Sequence, residues 1–252
     1  MSRHVAKPSS AVQLLKVDGI TAPVEVRRHP RARRLTLRVS RTRHAVVLTM
    51  PRNCEAKEAD LVLAKSLDWL RERLERVPEP VPFAAGATMP LRGVLHAVDF
   101  AGARTLPGRS IVDVVAGPSR GLARLVVHGT AEHAPRRLKD WLVGEAGRDL
   151  DVRVQHHSKN LGLRPRRITL RDQRSRWGSC TPDGQLSFSW RLVMAPPFVL
   201  DYVAAHEVAH LAEMNHGPRF WRLVERTMPG LEEAKVWLRL HGMELYRYGV
   251  ER

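Results

Sequence analysis

Sulfur chemistry has little to work with in this chain. Cysteine occurs only at Cys54 and Cys180 of 252 residues, far apart and in no C-x-x-C pair. That speaks against a cysteine-held zinc and against the disulfide framework of a secreted protein. No run of 18 apolar residues occurs, so no membrane span is expected. Residues 1–10 lack the apolar core of a secretory signal, and a cytoplasmic location is the expectation. Internal repeats and long low-complexity tracts are missing too. Acidic side chains are scarce beside basic ones: 26 Asp and Glu against 42 Lys and Arg leave a net charge of +16. The excess suggests affinity for a polyanion such as nucleic acid, nucleotide or acidic membrane, while arginine used only for solubility explains it equally well. The remainder, 43% hydrophobic and 27% charged, is ordinary for a globular protein with ample core.

What is present concentrates in Tyr202–His216, where His206-Glu207-x-x-His210 is followed by His216. On a helix, positions i and i+4 share a face, so the imidazoles of His206 and His210 project side by side. Two such nitrogens can each reach one zinc ion at about 2.0–2.1 Å. Glu207 lies beside a ligand but off its stripe, from where its carboxylate can reach a metal-bound water and act as general base. A catalytic site needs a third ligand and an open position. His216 is off the helical stripe, so the chain must turn first; Asn215-Gly217-Pro218 punctuation predicts a helix stop near Met214 with Asn215 left-handed. Glu213 is the rival ligand, but it follows His210 too closely along the helix to close a tetrahedron easily. H-E-x-x-H also occurs by chance on ordinary helices; the histidine after the stop is what lifts this one. Val203, Val208, Leu211 and Met214 are the apolar positions that would anchor the helix.

Taken in order, residues 1–20 read as a tail with a short strand at 12–17. Strands follow at 24–28, 33–40 and 44–50, with the period of two and short connections of an antiparallel meander. Arg27, Arg28, Arg31, Arg33, Arg34, Arg38, Arg41 and Arg43 crowd there; a solvated sheet face is favoured over a phosphate-contacting one. A helix over 55–77 has Asn53 as candidate cap and Leu61, Leu67, Leu70 and Leu74 as its stripe, near Trp69. Short strands at 94–100, 110–115 and 123–127 contain isolated His96 and His128, with His133 just beyond, and no recognisable chemistry. A helix over 132–157, a strand at 167–171, and a hairpin turning at Pro182-Asp183-Gly184 into a strand over 185–192 lead to the metal helix, opened by Pro196-Pro197. Helices at 218–227 and 231–241 follow. The expected division is a tail (1–20), a β-rich region with one helix (21–130) and a metal-binding catalytic domain (131–252).

The segments Arg176-Trp177-Gly178-Ser179-Cys180, Leu186–Leu192, Ala195-Pro196-Pro197, His206–His210, His216 and Phe220-Trp221 together resemble the YgjP-like family of zinc metallopeptidases, which is similar to the SprT-like and WLM zincins. The match is specific over about 165–242 and weaker upstream. The resemblance implies an α+β, zincin-like metallopeptidase domain, with helix, β-hairpin and H-E-x-x-H helix, beside an N-terminal antiparallel β-rich layer. It also implies Zn²⁺ held by His206, His210 and His216, with Glu207 as catalytic acid and base.

The expected function is therefore a zinc-dependent hydrolase, a metallopeptidase acting on protein or peptide through a zinc-bound water activated by Glu207. A hairpin strand beside the metal suits an extended peptide. One alternative is a metal-dependent nucleoside triphosphate pyrophosphatase, with arginines of 27–43 and 164–176 as polyanion contacts. Another is a nucleic-acid-binding protein with structural zinc, which would need a fourth ligand such as His241. Trp177 and Cys180 are expected to be packing residues, Tyr202 to be core, and Arg176, Arg219 or Arg222 to be available for an oxyanion.

Overall fold

The computed structural model describes residues 12–40, 45–102, 110–117, 122–173 and 175–250. Arg41, Arg43, Arg174 and the tail before Val12 lie outside the described residues. Two compact units divide at Glu79 and Pro80.

The first unit carries strands β1 (Val12–Leu15), β2 (Val24–Arg28), β3 (Thr36–Ser40) and β4 (Ala45–Met50), in the order β1-β2-β4-β3. The outer pairs are antiparallel, but β2 and β4 in the middle run parallel, Val24 opposite Val46, so the sheet is not a simple meander. The strand β1 lies within what reads as a tail. Two helices, α1 (Ala56–Lys65) and α2 (Leu67–Glu75), replace the single expected one and meet at Ser66. That break shifts the buried stripe: Leu63, Leu70 and Leu74 go inward while Leu61 is exposed. Glu55, not Asn53, precedes the first turn, with no side-chain cap.

The second unit holds the mixed sheet β5 (Thr88–Leu91), β6 (Val94–Phe100), β7 (Val112–Val115) and β8 (Ala123–Val127), in the order β5-β6-β8-β7. Helix α3 (Ala134–Leu161) runs past two cores. Its first half, through Leu138, Leu142 and Ala146, shares a core with Met89, Val98 and Leu125 of that sheet. Its second half, through Leu150 and Val154, packs with the elements of the site. This shared core is why β5–β8 fall in the same compact unit as α3.

Next come β9 (Arg167–Arg171), β10 (Gly178–Cys180) and β11 (Gln185–Ser189), ordered β10-β11-β9, so β10 is an edge. The Asp183-Gly184 hairpin is as expected, with Gly184 at φ +80° where a side chain would be strained. Strand β11 ends early: Trp190–Met194 is a 3-10 turn, although the alternation of Leu186, Phe188 and Trp190 continues into it. Helices α4 (Pro197–Ala209), α5 (Pro218–Thr227) and α6 (Leu231–His241) complete the unit. The architecture is α+β, with antiparallel-rich sheets. Among the described residues no helix is long and apolar enough to cross a membrane.

Candidate metal centre

Helix α4 is apolar on nearly every side because it is wedged among α3, α5, α6 and β10. Val199, Ala204, Ala205, Val208 and Ala209 are fully buried. Pro197 opens it, where a missing amide proton costs nothing. Polar groups at its end must therefore serve one another or a ligand.

The helix stops at Ala209, earlier than Met214, and Asn215 is not left-handed. Turn bonds from Leu211 to Val208, and from Ala212 and Glu213 to Ala209, carry the chain round instead. The His210 Nδ1–H donates to the Glu213 carbonyl at 2.9 Å, which leaves its Nε2 lone pair facing inward. After this turn His216 comes back over the helix end.

The three imidazoles converge. Nε2 of His206 stands 3.2 Å from that of His210 and 3.0 Å from that of His216. Ligands at 2.0–2.1 Å from a tetrahedral centre stand roughly 3.3 Å apart, so the donor set and its spacing fit one zinc ion. Among the described residues, these three histidines are the group of His, Cys, Asp or Glu that could hold a metal. The Glu213 carboxylate is not in that group. Neither is His241, which packs on Trp237 and faces Glu244. His96 and His128 are buried elsewhere, beside the Val94 carbonyl and Asp113.

Burial, with the charges of His210, His216 and Lys235, pushes the His206 imidazole down to about 3, so its ring is neutral and able to ligate. Tyr202, core as expected, also places its hydroxyl 3.4 Å from His206 Nδ1. Phe220 of α5, fully buried, lies 4.4 Å from the His210 ring and 4.8 Å from those of His206 and His216, centroid to centroid. Its role as a common platform is not visible in the sequence beyond its place four residues after His216.

Glu207 is 4% exposed, and its Oε2 is buried with no partner among the described residues. Burial pushes its carboxyl up to about 8, against the pull of Arg176. It faces β10 at Gly178, and both border a cavity of about 470 Å³. Ser175, Arg176, Ser179, Cys180, Met214 and the three histidines line it too. Arg219 and Arg222 are exposed on α5 and do not line it. Trp177 stacks on Tyr246, centroids 4.9 Å apart, and Cys180 is half-buried with its thiol pushed up to about 11, by burial first and then by Glu207 and Asp183.

Behind the site, His157 of α3 donates from Nε2 to Asp201 of α4 at 2.8 Å. Its Nδ1 lies 2.8 Å from the Thr227 hydroxyl at the end of α5. This buried bridge fixes three helices that frame the centre.

No curated protein matches the chain. The crystal structure of the metallopeptidase zymogen of Pyrococcus abyssi abylysin is similar over 36% of this chain and 95% of that one, at 21% identity and a TM-score of 0.33, too slight a likeness to argue from. The sequence model of the YgjP-like family, described as its metallopeptidase domain, matches residues 33–241. That span takes in most of the chain and every residue of the centre, and the chain belongs to the YgjP-like family.

Proposed function

We propose that the protein is a zinc-dependent peptidase in which His206, His210 and His216 hold the metal and Glu207 is the general base. The observation that carries this reading is the convergence of three Nε2 atoms at 3.0 and 3.2 Å beside a buried carboxylate with an orphan oxygen. When bound, zinc supplies the positive charge that brings the pKa of a water to about 7, polarises a substrate carbonyl and favours the ionised form of a nearby carboxyl. Glu207 accepts a proton from the attacking water on a carboxylate oxygen and returns it to the leaving amide nitrogen. The Glu213 carbonyl holds the tautomer of His210, and Phe220 keeps the three rings in place. As an unpaired edge, β10 offers backbone groups to an extended peptide along the cavity.

Wild type and Glu207→Gln, each with and without chelator, are compared on unfolded proteins and on nucleoside triphosphates. The reading expects cleavage of the first group only, abolished by chelator and reduced about 10²–10⁴-fold by the substitution. Metal- and Glu207-dependent turnover of a nucleotide without peptide cleavage would replace it with the pyrophosphatase reading.

A further inference from the structure

Of the residues that line the cavity, Arg176 is the one Lys or Arg among those described. Its side chain is exposed, and among the described residues it makes no hydrogen bond or ion pair. Its field reaches Glu207 without forming a bridge to it, so the guanidinium is not consumed by the catalytic carboxyl. The backbone that presents it is fixed. Next to it, Trp177 stacks on Tyr246 and touches Gly242, and the Trp177 carbonyl accepts from Ser189 N–H at 2.8 Å. One residue further, Gly178 packs on Glu207. An exposed arginine that lines the cavity, with its five donors unused, matches a planar anionic group.

We propose that Arg176 is a specificity-determining residue that binds a carboxylate of the substrate, so that the preferred substrates are acidic peptides. The proposal rests on the peptidase reading above. It assigns Arg176 to recognition, because Arg176 is exposed and lines the same cavity as the buried Glu207 carboxyl and the three imidazoles without bonding to any of them. Ser175 and Ser179 line the same cavity, and their hydroxyls can accept from or donate to the rest of the peptide.

The test uses the full-length, zinc-loaded protein carrying Glu207→Gln, so that peptides bind without turnover. The probes are short Ala/Gly peptides with one Glu at each position in turn, each matched by its Gln counterpart, and binding is read by fluorescence polarisation. With Arg176 in place, at least one Glu peptide should bind about tenfold more tightly than its Gln counterpart, a charge-assisted pair being worth that much. Adding Arg176→Gln should bring the pair to within about twofold, and adding Arg176→Lys should leave an intermediate preference. Glu and Gln peptides bound alike, bound not at all, or discriminated equally well without Arg176 would each overturn the proposal. Zinc content checks that every variant is folded at the centre. Peptide cleavage by the wild type is scored separately, so a failed peptidase reading and a failed acidic preference are told apart.

Discussion

Gly178 and Glu207 touch where no side chain could stand between them: a Cβ on Gly178 would fall 2.5 Å from Glu207 Cγ and Oε1 and 2.7 Å from Cδ. Gly178 is not in the left-handed region, so its backbone would accept alanine. What would give way is the Glu207 side chain. Gly178→Ala should keep zinc and fold while lowering peptide turnover roughly 10- to 1000-fold, through a displaced base. Zinc analysis beside steady-state kinetics checks this, and unchanged turnover would show that the β10 wall does not set the position of Glu207.

The ligand set predicts a contrast between two neighbours. His216→Ala should lose most of its zinc, because one of three donors is gone. Glu213→Ala should keep it, because the group that orients His210 is the main-chain carbonyl at 213. Metal content after dialysis decides, and the opposite pattern would make Glu213 the ligand.

The bridge behind the centre makes an acid-stability prediction. Burial alone would push the Asp201 carboxyl up, but the hydrogen bond and positive field of His157, with Arg153 and His156, outweigh it and hold the carboxyl below its ordinary value. The unfolded chain therefore takes up this proton first as pH falls. The stability that Asp201 contributes is complete above about pH 4 and is lost as pH drops through the lowered folded value. In metal-free protein, urea melts should show a shallower loss as pH falls below about 4 for Asp201→Asn than for wild type. Parallel curves would mean that the bridge does not couple to folding.

Arg92 is the one non-glycine among the described residues at positive φ, +50°. Its guanidinium holds Asp149 with two bonds of 2.8 Å and Glu145 with one of 2.6 Å, which offsets the backbone cost. Arg92→Ala should lose the pairs and keep the strain, melting about 1–2 kcal/mol below wild type given the partial exposure of the pairs. Arg92→Gly should recover roughly 1 kcal/mol of that, since glycine adopts this conformation freely. Equal melting of the two variants would remove strain from the account.

Much of the candidate site's geometry is legible in residue order, because His206, Glu207 and His210 are related by helical geometry alone and His216 follows a break. The place of that break is not legible. Leu211, Ala212, Glu213 and Met214 all favour helix, so local preference carries the expected helix on to 214. The chain turns at Ala209 instead, with the His210–Glu213 bond and the packing of Phe220 against three rings, both of which need the folded neighbourhood. The same holds for Trp190, whose alternation with Phe188 continues after the strand has become a 3-10 turn. The parallel pair β2 and β4 escapes notice because short connections favour antiparallel neighbours. Gly178 reads as turn chemistry; only its partner, far along the chain, explains it.

The three imidazoles and the ring that supports them all come from residues 206–220, whereas Gly178, which packs on Glu207, comes from β10, earlier in the chain. On the proposed reading, capturing metal is a local event along the chain, and finishing the cleft is a long-range one that carries the greater loop-closure cost. On the proposed reading, assembly in that order would load the metal before the cleft could cut a peptide. In refolding with zinc present, metal uptake should run ahead of the return of peptide cleavage; simultaneous onset would mean that the two halves form as one.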